Sequence, residues 1–172
     1  VSIRSQKEAA NGCVKETPEW VTAQVANLFD KEGMGVNQLR GSEARELVQL
    51  ICPAGRFPGK SKQQLADELG EELLRLLPEV ATVLVAHIMT RYRKKARREL
   101  RGDIHAAAKE ALLILFGLRG SASANLSSAD RRDKATGRLR RAGIHMEPET
   151  FSKNYQDACI EALGNCLYEL IK

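Results

Sequence analysis

Aromatic side chains are scarce in this chain: one Trp, three Tyr and four Phe among 172 residues. A core without them has to come from Leu, Ala, Val and Ile, a palette that favours helix over strand. Strand-like alternation of useful length is missing, and so is any repeat of fixed period. Four cysteines are present, Cys13, Cys52, Cys159 and Cys166, but there is no C-x-x-C and no His/Cys cluster. That argues against structural zinc, so no metal or other cofactor is expected, and it favours free, buried thiols in a reducing compartment. No continuous apolar run approaches 18 residues, so no membrane-spanning helix is expected. The first residues, Val1 to Glu8, carry no apolar signal core, which places the protein in the cytoplasm as an expectation. The chain begins with Val rather than Met, as a processed or excised chain would.

What the sequence does have is positive charge, unevenly spread. Residues 1–90 hold 10 Lys/Arg against 12 Asp/Glu, and residues 91–172 hold 17 against 10. Within the second half, Arg91 to Arg101 packs seven positive side chains and one carboxylate, Glu99, into eleven residues. Tyr92, Ala96 and Leu100 fall on one helical arc, shared upstream by Val85, Ile88 and Met89. The run therefore reads as the outer face of a packed helix. Arg91, Lys94, Arg98 and Arg101 form a stripe about 20 Å long together with His87, flanked by Arg93 and Arg97. Such a stripe can meet successive phosphates of a nucleic acid, with affinity that falls steeply as salt rises. Since Tyr92 points to the core side, base stacking is not implied. The bland alternatives are a solvated face, or pairing with the acidic stretch Asp67 to Glu72.

Helix signals punctuate the rest. Residues 1–16 read as a loose arm. Thr17-Pro18-Glu19 opens a helix whose apolar face is Val21, Val25 and Leu28, closed by Gly33 and Gly35. Ser42 heads a second helix, and Ser61 with Gln64 forms a capping box for a third that Pro78 is expected to stop. A fourth runs from about 79 to 101. Asp103 caps a fifth, Ser127 with Asp130 opens a sixth ending at Gly143, and Pro148 opens the last. Residues 117–128, rich in Gly and Ser, read as a linker.

Catalytic constellations are absent by sequence. His87, His105 and His145 are scattered and read as surface residues. The carboxylates Asp67, Glu68, Glu71 and Glu72 read as a solvated face rather than a divalent-cation site. Gly117 to Gly120 lacks the Lys-Ser/Thr ending of a phosphate loop.

The segment from Asp130 to Tyr155 reads helix, turn, helix. Leu139, Gly143 and Ile144 occupy the inner position, turn glycine and following apolar position of a helix-turn-helix. The turn is a residue or two long, and Glu147 and Glu149 put negative charge where DNA would lie. Residues 130–170 also resemble a segment of uncharacterised actinobacterial regulatory or effector-associated proteins, through Arg131, Arg132, Ala135, Leu139, Thr150, Phe151, Lys153 and Tyr155. Ser152 and Gln156 depart from that pattern, where a basic and an acidic residue are usual. The resemblance implies an intracellular helical module without known chemistry.

The expectation is an all-α bundle of six to seven helices: residues 17–116 as the main bundle, 117–128 as linker, and 129–172 as a helical hairpin that packs back. The expected function is a non-catalytic regulatory module that binds nucleic acid, duplex DNA foremost, through phosphate contacts. Arg91, Arg93, Lys94, Arg97, Arg98 and Arg101 would carry that binding, with Arg131, Arg132, Arg138, Arg140, Arg141 and Lys153 assisting. The alternative is an adaptor whose basic face meets an acidic protein. The apolar stripe of the last helix could instead pair with its copy in a homodimer.

Overall fold

A computed structural model describes residues 17–91, 103–118, 121 and 125–172, and every regular element among them is helical. In chain order these are α1 (Pro18–Asp30), α2 (Val36–Arg40), a 3-10 turn (Ser42–Ala44), α3 (Arg45–Ile51), α4 (Lys62–Arg91), α5 (Ile104–Leu115), α6 (Ser128–Arg141), α7 (Pro148–Asn154) and α8 (Gln156–Glu169). The expected all-α bundle is what the chain forms.

Half of the α-helix starts follow from side chains within three residues of them. Thr17 Oγ1 accepts from the Trp20 amide at 3.1 Å. Ser61 and Gln64 exchange reciprocal bonds of 2.8 and 3.2 Å, satisfying two amides that the helix itself cannot. Asp103 accepts from His105 and Ala106, and Ser127 from Asp130.

Four expectations need correction. Pro78 does not stop a helix, because α4 runs through it from Lys62 to Arg91. The apolar stripe Leu69, Leu73, Leu77, Val80, Leu84, Ile88 is continuous across the proline and buried throughout. Pro78 itself faces solvent, where water can serve the Leu74 carbonyl that loses its helical donor. Secondly, Ser42 makes no side-chain cap; it begins the 3-10 turn that leads into α3, and a short helix, Val36–Arg40, precedes it. Thirdly, the last helix is two, broken at Tyr155 (φ −128°, ψ −31°), whose ring is buried. Fourthly, Gly117 and Leu118 are core rather than linker: Leu118 is buried, and the Met34 amide bonds the Phe116 carbonyl at 2.8 Å. The arm 1–16, residues 92–101 of the fourth expected helix, and linker residues 119, 120 and 122–124 lie outside the described residues.

Packing centres on α4, a rod about 45 Å long at 1.5 Å per residue. It lies against α5 and α8, and against α2 and α3 near its start. α1 packs on α8, α6 packs on α5, and α7 bridges α6 and α8. One apolar core joins the hairpin to the bundle, from Trp20 and Val25 through Leu77 and Leu112 to Leu139, Phe151 and Leu163. Where α1 crosses α8 the backbones nearly touch: a Cβ on Gly164 would lie 2.8 Å from Thr22 Cα. The stripe Cys159, Ile160, Leu163, Leu167, considered above for a second copy, is buried against α1 and α4 of the same chain.

α4 also departs from the expectation about membranes. By length and composition alone it is long and apolar enough to cross one. Here it is the central helix of the bundle.

Candidate nucleic-acid interface

Helices α5 and α6 are antiparallel. Arg138 of α6 ion-pairs with Glu110 of α5, while Arg131, two turns earlier on α6, reaches the carbonyl of Leu115 at the far end of α5. The C-terminal end of α6, with Arg138, Arg140 and Arg141, therefore lies beside the N-terminal end of α5, which begins just after Asp103. The described part of α4 ends at Arg91, whose guanidinium lies over the Tyr155 ring at 5.5 Å; Tyr155 adjoins Gln156, which accepts from Arg132 in the first half of α6. Residues 92–102 connect Arg91 to Asp103. Arg93, Lys94, Arg97, Arg98 and Arg101 lie outside the described residues.

The remaining candidates differ in what occupies them. Arg138 is engaged by Glu110, and that bond, with Arg141 nearby, holds the Glu110 carboxyl below its usual range. Arg140 sits 3.8 Å from Glu147, a loose surface pair worth little. Arg132 is half-buried and donates to Gln156 at 2.7 Å. Arg141 and Lys153 are exposed and make no ion pair among the described residues. Lys134, which the sequence reading passed over, is exposed too. It stands four residues before Arg138 and seven before Arg141, on one face of α6, so spacing alone could have found it.

Arg131 is the clear correction. It is fully buried, and it binds no external anion because the fold consumes its guanidinium. Nε donates to the Leu126 carbonyl at 3.1 Å, and Nη1 to Leu115 at 2.7 Å. Nη2 donates to Phe29 and, at 3.4 Å, to Lys31. The Phe29 ring lies 5.0 Å below the guanidinium carbon. Two helices, α1 and α5, end at this point, and their terminal carbonyls are the negative ends of the helix dipoles. Burial pushes the guanidinium down to about 10; Arg132 adds to the effect and Asp30 opposes it. The space is tight: Gly33, in the left-handed region at φ +89°, could carry no Cβ without one lying 2.8 Å from the Phe116 carbonyl oxygen and 3.0 Å from Arg131 Nη1. Sequence offered a clue, since Arg131 stands four and eight residues before the buried Ala135 and Leu139.

No family model matches the chain, and neither does a curated protein or a solved structure. The site must be judged on its own geometry.

The helix-turn-helix pattern is met in part. Leu139 and Ile144 are buried and Gly143 turns at φ +90°. The second helix, α7, ends after seven residues at Asn154, and Glu147 and Glu149 at its start are exposed. That end offers little surface for reading bases.

The other sequence candidates are accounted for as well. Asp67 holds Arg40 through two bonds of 3.0 and 2.6 Å, Glu68 pairs with Lys60, and Glu72 with Arg75. These carboxylates sit in the first half of α4, about 36 Å along it from Arg91, counted from Asp67 at 1.5 Å per residue. Among the described residues no cluster of His, Cys, Asp and Glu could hold a metal. The three histidines are exposed. Cys52 and Cys159 are buried free thiols and Cys166 is half-buried; Cys13 lies outside the described residues.

Proposed function

We propose that this protein is a non-catalytic regulatory module that binds nucleic acid, duplex DNA foremost, through phosphate contacts at the basic end of its bundle. The observation that carries the proposal is the antiparallel α5–α6 pair, which sets Arg138, Arg140 and Arg141 beside the start of α5 at Asp103, directly after the basic run 91–101 in sequence. The rival pairing with Asp67 to Glu72 loses support, because those carboxylates already hold nearer cations at the other end of α4. Phosphate rather than base contact is favoured because Tyr155 is buried under Arg91 and α7 presents Glu147 and Glu149. The resemblance to actinobacterial regulatory proteins accords with such a role, and the free thiols with a reducing, cytoplasmic setting.

The test is fluorescence anisotropy with a labelled duplex of about 20 bp and a matching single strand over a range of salt. If about six phosphates are engaged, log K should fall with log salt at a slope near −5. Changing Arg93, Lys94, Arg97 and Arg98 together to Ala should abolish binding, and Arg140→Ala with Arg141→Ala should weaken it. Absence of binding at low salt would overturn the proposal and turn attention to an acidic protein partner for the same face.

A further inference from the structure

At the opposite end of the molecule a cavity of about 390 Å³ opens between α2, α3 and the first turn of α4. Its volume falls in the range of small-molecule sites, roughly 300–1,000 Å³. The floor is apolar: Leu39, Val48, Leu65 and Ala66, with the Cys52 thiol among them. The rim carries three cations, and they are not equivalent. Arg40 is held by Asp67 through two bonds. Arg45 and Lys62 are exposed and make no ion pair or side-chain hydrogen bond among the described residues. Lys62, Leu65 and Ala66 line it from one face of the first turn of α4. No carboxylate lines the cavity.

An apolar floor below two unengaged cations has a definite complement: a molecule with one anionic head and a short apolar body. We infer that this cavity binds a small monoanionic amphiphile, its head held by Arg45 and Lys62 and its tail against Val48, Cys52 and Leu65. A neutral apolar ligand would leave the cations unused, and a bare anion would leave the floor uncovered. Each cation contributes through a partly solvated ion pair, which at contact distance is worth a few-fold in affinity. The site lies well away from the basic end, so it stands or falls independently of nucleic-acid binding.

The probe is sodium octanoate, with octanol and sodium acetate as comparators, read by amide chemical shifts of the full chain. Octanoate should give saturable shifts confined to α2, α3 and the start of α4, while octanol and acetate bind at least tenfold more weakly. Arg45→Ala combined with Lys62→Ala touches only exposed side chains and should weaken octanoate about tenfold, while Arg75→Ala, an exposed cation elsewhere on α4, should leave it unchanged. The inference is overturned if octanoate shows no saturation, if octanol binds as well, if the double variant keeps its affinity, or if the shifts map to another surface.

Discussion

Replacing Arg131 with Met keeps the aliphatic stem and removes the guanidinium. The carbonyls of Phe29 and Leu115 are then left buried without a donor. At about 2 kcal/mol each, within the range for an orphaned buried acceptor, that costs about 4 kcal/mol. Losing the cation over the Phe29 ring adds about 2 kcal/mol for a desolvated pair. The carbonyls of Leu126 and Lys31 are only partly buried and water can serve them. Against this stands relief of a buried charge. Depression of the guanidinium from 12.5 to about 10 corresponds to roughly 3 kcal/mol of unfavourable desolvation. The net expectation for Arg131→Met is a loss of about 3 kcal/mol, or about 6–12 °C in melting temperature for a chain of this size. Arg131→Lys should lose nearly as much, because one ammonium cannot span carbonyls from three separate segments. Arg132→Met, beside it but half-buried, should cost under about 1 kcal/mol. Urea unfolding followed by circular dichroism measures all three. A loss below about 1 kcal/mol for Arg131→Met, or a gain, would mean that desolvation outweighs the carbonyl bonds and that the clamp contributes no stability.

Two further outcomes can be measured on the same protein. Pro78→Ala restores an amide donor for the Leu74 carbonyl inside a helix that is already continuous, so stability should rise by about 1–3 kcal/mol; a loss would show that the proline shapes a bend the core requires. Burial pushes the Cys52 and Cys166 thiols up to about 11 and Cys159 to about 12, from an ordinary value of 9.0. The folded chain keeps protons that the unfolded chain releases, so this contribution is fully present below pH 9 and is lost as pH rises above it. From pH 9 to about 10, below the range where Arg131 begins to oppose the trend, the urea midpoint should fall; a flat or rising midpoint would contradict the burial of these thiols.

The parts of the fold that could be read in the sequence are those decided within three or four residues. Thr17, Ser61 with Gln64, Asp103 and Ser127 each start a helix through a bond to a nearby amide, and each stood out by residue type and spacing. What could not be read depends on distant partners. Local chemistry makes Pro78 a helix stop; the buried stripe on either side of it, packed against α5 and α8, overrides that preference. Arg131 looked like one more cation in a basic helix. Its strongest bond partners are 102 and 16 residues away, and nothing in its neighbours' identities reveals that two helices end against it. The basic character of the second half was legible from composition, whereas the placement of Arg138, Arg140 and Arg141 beside the start of α5 required the antiparallel α5–α6 pair.

The contact of Thr22 with Gly164 has a consequence for how α1 lies on α8. Only a residue without a side chain fits where the two backbones meet. Sliding α8 by one turn in either direction would bring Ile160 or Tyr168 opposite Thr22 and force the helices apart. Neighbouring alignments are therefore closed off by bulk rather than merely less favourable, and the pair has one axial register. A helix pair with interchangeable side chains at its crossing could creep along its own axis; this one is indexed at a single notch.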